Sequence, residues 1–363
     1  EAWTTPPFEP DIRDGRVYAR GAGDNKGQHL AQLLALESLL ACRNALPCNV
    51  IVLLEGGEEI GSPHLADFAR EYKDELAADL VIISDGPVHE SGRPEIVYGV
   101  RGSLFFELHA RGANRDLHSG NWGGIAPNPL WTLVHLLSTM KNTRGEVTVE
   151  GFYDAVLPLS PLEQAALADM PFDRAQIERS LGVAALDQPL ERGVGERLTA
   201  WPTLTINGLH GGYGGPGPKT VLPHEAIAKC DIRMVAAQTA DEVFPKIVAH
   251  VQRHAPDVEV VLQGSMDPSK TPLDSPYTPL LRRAIAAAQH QDPYLLPTLG
   301  GSLPNYVFTG ILGQPTFLVP YANADQGNHG PNENLELDRF IQGIKTGAAM
   351  LVSIAEGHQA GGA

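Results

Sequence analysis

Basic residues are scarce in this chain. Lys and Arg total 27 against 43 Asp and Glu, a formal net charge of −16. A surface that negative repels phosphate backbones, so no nucleic-acid partner is expected. Long apolar runs are also missing. Residues 49–54 and 79–83 are among the longest, and both fall far short of the roughly 20 residues a membrane-spanning helix needs. No membrane partner is expected either. Only three cysteines occur, Cys42, Cys48 and Cys230. They lack metal-knuckle spacing and cannot all pair, so they read as reduced thiols of a cytoplasmic protein.

What is present describes an ordinary globular chain. Hydrophobic residues make up 43% and charged residues 19% of 363, which argues against disorder. That length suggests about two domains. The 38 glycines and 29 prolines imply many sharply built loops.

Hydrophobic periodicity predicts a helix over residues 28–41, with Leu30, Leu33, Leu34 and Leu40 available for one face. Residues 49–54 and 79–84 read as strands buried on both faces, with a helix over 63–76 between them. That rhythm is an α/β layer. From Ser103 the pattern changes. Strands are expected at 103–111, 203–206, 226–234 and 258–263, and helices at 129–141 and 240–254. This β-α-β-β-α-β order is that of a ferredoxin-like unit. After Pro279 the α/β pattern returns, with a helix to His290, a strand at 316–320 and a helix at 338–356. The reading is an α/β catalytic domain in two parts, residues 1–101 and 267–363, interrupted by an inserted α+β domain at 102–266.

Four short segments stand where strands end or loops turn, the usual location of α/β active sites. They supply Asp24, the adjacent pair Glu58 and Glu59, Asp85, and His329. Taken singly, each has a plain structural explanation. Asp24 can cap the helix that follows, Asp85 before Gly86 can make a turn, and His329 can be a loop histidine. Their joint occurrence changes the balance. Carboxylates gathered at one sheet edge repel one another unless cations neutralise them. Carboxylate with imidazole suits zinc, manganese or cobalt. One carboxylate can bridge two such ions. Adjacent residues at a strand end point opposite ways, so one of Glu58 and Glu59 can bind metal while the other reaches a water as general base. Elsewhere, Arg233 near the end of its strand suits bidentate capture of a free α-carboxylate, with an ion pair to Asp231 as the alternative.

Together these segments resemble the dimetal amidohydrolase family M-twenty, which includes aminoacylases, carboxypeptidase G, succinyl-diaminopimelate desuccinylase and carnosinase-type dipeptidases. The resemblance covers nearly the whole chain. It implies a zinc-peptidase-like catalytic domain with an inserted ferredoxin-like lid and dimerisation domain. It also implies two divalent cations, zinc foremost. Asp24 would bridge them, Glu59 and His329 would complete one site, Asp85 would bind the other ion, and Glu58 would be the general base. Asp116, His118, Ser119 and Gly120 resemble the family's lid histidine motif, in which the histidine stabilises the oxyanion and reaches the partner's site in dimeric members. Asn207, Thr220 and Ser302 match substrate-contact positions. The implied activity is hydrolysis of dipeptides or small peptides with a free C-terminal carboxylate, by a homodimer formed through the lid. An N-acyl-amino-acid deacylase, a glutamate-releasing carboxypeptidase and a non-catalytic binding relative are the alternatives.

One departure carries an expectation of its own. The family's His-x-Asp segment lies upstream of the stretch seen here at residues 3–8. The chain is therefore expected to start after that segment. It would then hold one well-formed metal site, leave Asp85 without its imidazole partner, and be inactive as it stands.

Overall fold

Residues 2–187 and 191–361 are described by a computed structural model. The periodic segment after Lys26 forms a helix, Gly27–Arg43, that turns Ala31, Ala35 and Leu39 inward. Asn44 ends it in the left-handed conformation, its N–H donating to the Leu40 carbonyl, which satisfies one of the orphan carbonyls of the last turn. The helix packs along the long C-terminal helix Leu337–Gly361.

A mixed four-stranded sheet lies beside this pair. Its order is Tyr294–Leu296, Glu95–Val97, Thr316–Leu318, Val81–Ile83. The two outer pairs are parallel, and the central pair meets antiparallel at Leu318 and Val97. The core against it includes Ile96, Tyr98, Phe317, Leu281 and Ile285, the last two from the helix Thr278–Gln289.

The middle of the chain forms a separate antiparallel sheet. Its order is Glu259–Met266, Gly102–Arg111, Glu225–Met234, Thr203–Gly211. Numbered along the chain that is 4-1-3-2, with every neighbour antiparallel, as a ferredoxin-like unit requires. Helices Pro129–Met140 and Ala240–His254 contribute Leu133, Leu136, Val243 and Ile247 to the same core as Leu104, Phe106 and Ile232. Each such side chain contributes about 1.5–3 kcal/mol by leaving water. Alternation along Glu225–Met234 buries Cys230 and Ile232 while Lys229 stays exposed. The α/β fold with a ferredoxin-like insertion is therefore present.

The expected strand at 49–54 is not. These residues take no regular pairing, and Ile51, Val52 and Leu54 are exposed. An apolar run becomes a strand only where another strand accepts its backbone groups, and the sheet's edge strand, Val81–Ile83, pairs only with Thr316–Leu318 among the described residues. The helix expected at 63–76 is shorter, Leu65–Glu71. Several short elements went unforeseen, among them the three-residue strands Glu95–Val97 and Tyr294–Leu296 of the mixed sheet, the strands Asp11–Arg13 and Arg16–Tyr18, which form a hairpin, and Asn334–Glu336, which extends it. That small sheet brings the His329 loop against the Asp24 loop. The cysteines are all free thiols. No helix among the described residues is long and apolar enough to cross a membrane.

Candidate active site

The Asp24 loop is held by a carboxylate 309 residues away in sequence. Glu333 is fully buried. It accepts hydrogen bonds from the Arg20 guanidinium (2.8 Å) and from the backbone N–H groups of Gly21 (3.0 Å), Gly23 (3.1 Å) and Asp24 (2.9 Å). Arg20 also donates to the Gly330 carbonyl. The clamp ties the loop before the first helix to the loop that carries His329. Asp24 does not cap that helix; Lys26 occupies the cap position with no side-chain bond. Packing at Gly23 is tight: a Cβ there would meet Gln326 Oε1 at 2.1 Å and the Asn334 carbonyl at 3.0 Å.

His329 sits in a turn with φ of +55°. Few residues other than glycine tolerate that region, and such strain concentrates at functional sites. Its Nε2 lies 3.1 Å from Asp24 Oδ2 and 3.2 Å from Glu59 Oε2. All three ligand atoms fall within 4.8 Å of one another.

Glu58 and Glu59 were expected at a strand end and are not there. They occupy a 3₁₀ turn, Glu58–Ile60. Glu55 builds the turn by accepting from Gly57 N (2.9 Å) and Ser62 Oγ (3.2 Å). Gly61 closes it at φ +84°, a conformation a side chain rarely permits. The pair still divides as the chemistry asks, with Glu59 on His329 and Glu58 outside the three-atom group.

Electrostatics mark the cluster as short of positive charge. Burial pushes the Glu58 carboxyl up to about 7, and the charges of Asp85, Glu59, Asp24 and Glu55 push the same way. Asp85, just beyond the strand Val81–Ile83, is raised to about 6, chiefly by burial and then by Asp24. Its hydrogen bonds from Gly86 N and from Asn25 pull back only in part. The Asp85–Gly86 bond (2.7 Å) is the turn the sequence allowed. Asn25 donates to the Ser84 carbonyl at 2.8 Å, and its buried Oδ1 has no partner among the described residues.

This donor set fits a divalent cation. Zinc bonds to nitrogen and oxygen run to about 2.0–2.2 Å in tetrahedral geometry. Neighbouring ligand atoms then sit about 3.3 Å apart, which matches the His329 separations. Glu58 and Asp85 beside that set, whose affinity for protons is raised, equally favour a cation.

The remaining candidates divide into two further groups. The short strand Leu117–His118 pairs with Val221–Leu222, which puts His118 Nε2 3.3 Å from Thr220 Oγ1. Gly120 N donates to His118 Nδ1 at 3.0 Å. The ring proton is thereby left on Nε2, the tautomer that can donate outward. Separately, Arg233 donates to Ser302 Oγ at 2.9 Å and to Asp231 Oδ2 at 3.2 Å, so the capture geometry and the ion pair coexist. Asn207 is exposed at the bulge where Gly208 opposes Lys229 and Ile206 opposes Cys230. No hydrogen bond or ion pair among the described residues joins the His118 group, the Arg233 group and the Asp24 cluster to one another.

Sequence reasoning passed over Glu333 and Arg20. Both lay inside segments already singled out, but a buried acceptor is identified by what surrounds it, not by its own type.

The description "Peptidase family M20/M25/M40" matches residues 1–354. The chain is 30% identical to the Beta-Ala-His dipeptidase of Homo sapiens, over 99% of this chain and 72% of that protein. It is 30% identical to the Cys-Gly metallodipeptidase dug1 of Schizosaccharomyces pombe, over 95% of this chain and 74% of that one. The crystal structure of an M20 family metallo-carboxypeptidase from Sulfolobus solfataricus superposes with a TM-score of 0.91 at 33% identity, covering 98% of this chain and 81% of that one.

Proposed function

Because the chain belongs to peptidase family M20/M25/M40 and is a metal-dependent hydrolase of the dipeptidase type, we propose that it cleaves dipeptides or small peptides bearing a free C-terminal carboxylate. The observation that carries this reading is the convergence of Asp24, Glu59 and His329 beside a carboxyl, Glu58, whose proton affinity is raised to about 7. A base works best when its pKa lies near the working pH.

Asp24, Glu59 and His329 would hold one cation, with Asp24 shared and Asp85 serving a second; zinc suits the donors, and manganese or cobalt would also be accepted. When bound, the cations would polarise the scissile carbonyl and ease deprotonation of water. Glu58 takes the proton of the attacking water and returns it to the leaving amine. His118, through Nε2–H, donates to the oxyanion. Losing one such donor typically costs about 10²–10³ in rate. Arg233 with Ser302, and Thr220 with Asn207, hold the substrate. Residues 102–266 act as the lid, closing to exclude water, and the protein works as a cytoplasmic homodimer through that unit.

The test is a panel of free dipeptides against N-acetylated and N-succinylated amino acids, with zinc or manganese supplied to the full-length protein. Dipeptide cleavage abolished by Glu58→Ala supports the proposal. Cleavage of the acylated amino acids instead moves the assignment to a deacylase. No hydrolysis of either set, with Glu58→Ala indistinguishable from the parent, refutes it.

A further inference from the structure

The segment that carries His118 hangs from the end of the inserted sheet, and its ladder is interrupted on the way. Arg111 pairs with Glu225 at the sheet's end, and Gly112 N donates to the His224 carbonyl at 2.7 Å. Pairing resumes at Leu117 with Leu222 and His118 with Val221. Between these points residues 113–116 stand opposite Pro223 alone, and proline has no N–H to give. The resumed ladder is two residues long on each side, far too short to hold itself in water. Beyond it lies Thr220, which meets His118. Thr220 ends the run 211–220, which is exposed throughout and holds five glycines, a segment costly to order.

One side chain bridges the interruption. Asp116 Oδ1 accepts from the His224 backbone N–H at 3.0 Å and stands 2.7 Å from His224 Nδ1. A carboxylate only accepts, so Nδ1 carries the proton. The two groups shift each other as a pair does. The bond to Asp116 raises the His224 ring from its ordinary value, and the ring and backbone bonds of His224 hold the Asp116 carboxyl below its own. An ordinary surface ion pair joins side chains and fixes little else. Here the backbone bond stands in for a missing ladder bond, directly before pairing resumes at Leu117. The ground on which the clasp rests is tightly packed: a Cβ on Gly112 would meet the Pro127 carbonyl at 2.9 Å and the Pro223 carbonyl at 3.3 Å.

We infer that Asp116 and His224 form a clasp that sets where His118 stands, carrying the register of the inserted sheet across the interruption to the ribbon at its tip. Both are positioning residues, acting through His118. This rests on the peptidase reading above, in which His118 donates to the oxyanion, and adds the pair that holds that donor in place. An oxyanion forms only in the transition state, so a misplaced donor lowers kcat and spares KM.

The experiment measures dipeptide hydrolysis by the metal-loaded protein in the parent, Asp116→Ala, Asp116→Asn, His224→Ala and His224→Asn. In parallel, NMR follows the His118 ring resonance without substrate, assigned with His118→Ala. Asp116→Ala frees both bonds. It is expected to lower kcat by about 10–100-fold with KM within about threefold, the mark of a displaced catalytic group, and to shift or broaden the His118 resonance. His224→Ala keeps the backbone bond and should lose about 2–10-fold, the worth of one hydrogen bond. Asp116→Asn keeps the accepting oxygen, and His224→Asn offers an amide N–H in place of Nδ1–H, so each restores part of what its alanine variant loses. Circular dichroism checks the fold; if Asp116→Ala does not fold, the two His224 variants carry the same comparison. An unmoved His118 resonance, equal losses in the Asn and Ala variants, or a loss confined to KM overturns the inference. If the resonance moves while kcat holds, or moves in a protein whose parent cleaves no dipeptide, the clasp stands and the peptidase reading of His118 is refuted instead.

Discussion

Replacing Glu333 probes the clamp that positions Asp24. Its Oε2 accepts from Arg20 and Gly21, and its Oε1 from Gly23 and Asp24. In Glu333→Gln one oxygen becomes an amide NH2, so whichever way the side chain turns, two of the four donors face another donor. Leaving a buried donor unsatisfied costs about 1–3 kcal/mol. The change should therefore destabilise the protein by about 3 kcal/mol, and Glu333→Ala, which strands all four donors, by more. The same loop presents a metal ligand, and loss of such an outer-shell partner typically weakens metal binding by about 10–100-fold. Urea denaturation measures the first effect, and zinc competition against a fluorescent chelator measures the second. A loss of under about 1 kcal/mol in Glu333→Gln, with zinc affinity unchanged, would show that the loop holds its shape without the carboxylate.

Three other expectations follow from separate parts of the molecule. Burial raises Glu95 to about 7 and it is 7% exposed. The folded form therefore binds its proton more tightly than the unfolded one, and the stability this brings is full below about pH 4.5 and lost as pH rises through about 7. Glu95→Gln should then be more stable than the parent by about 3 kcal/mol at pH 8 and by under about 1 kcal/mol at pH 5, measured by urea midpoints; a difference that does not change with pH refutes the assignment. At Gly23 an added methyl has backbone on one side and the buried Gln326 amide on the other, so Gly23→Ala should cost about 1–3 kcal/mol, whereas Gly310→Ala, with nothing within 4 Å, should leave the melting curve unchanged or slightly raised. Finally, zinc at 100 times its dissociation constant should stabilise the protein by about 2.7 kcal/mol; a thermal shift that persists in the Asp24→Asn, His329→Ala double variant would place the ion elsewhere.

Long periodic elements were legible because burial imposes a period on them. The helices Gly27–Arg43 and Ala240–His254, and the strand Glu225–Met234 with its alternating Cys230 and Ile232, follow directly from patterns of 3.6 and 2. The run at 49–54 carried the same apolar signal and failed, because a strand depends on a partner that sequence pattern does not reveal. The Glu58–Glu59 turn was misjudged for a related reason. It is built by Glu55 and Ser62 reaching across a loop, and no period announces such bonds.

Sequence alone determined which residue types were available: an acidic surface, carboxylates with a histidine at loops beside strands, and an arginine strand in the inserted unit. These are properties of composition and spacing. Tertiary structure decided which of them touch. It set His329 between Asp24 and Glu59, buried Glu333 beneath the Asp24 loop, and joined Arg233 to both Asp231 and Ser302. Distance and burial govern charge interactions, and both are created only when segments some 300 residues apart are folded together.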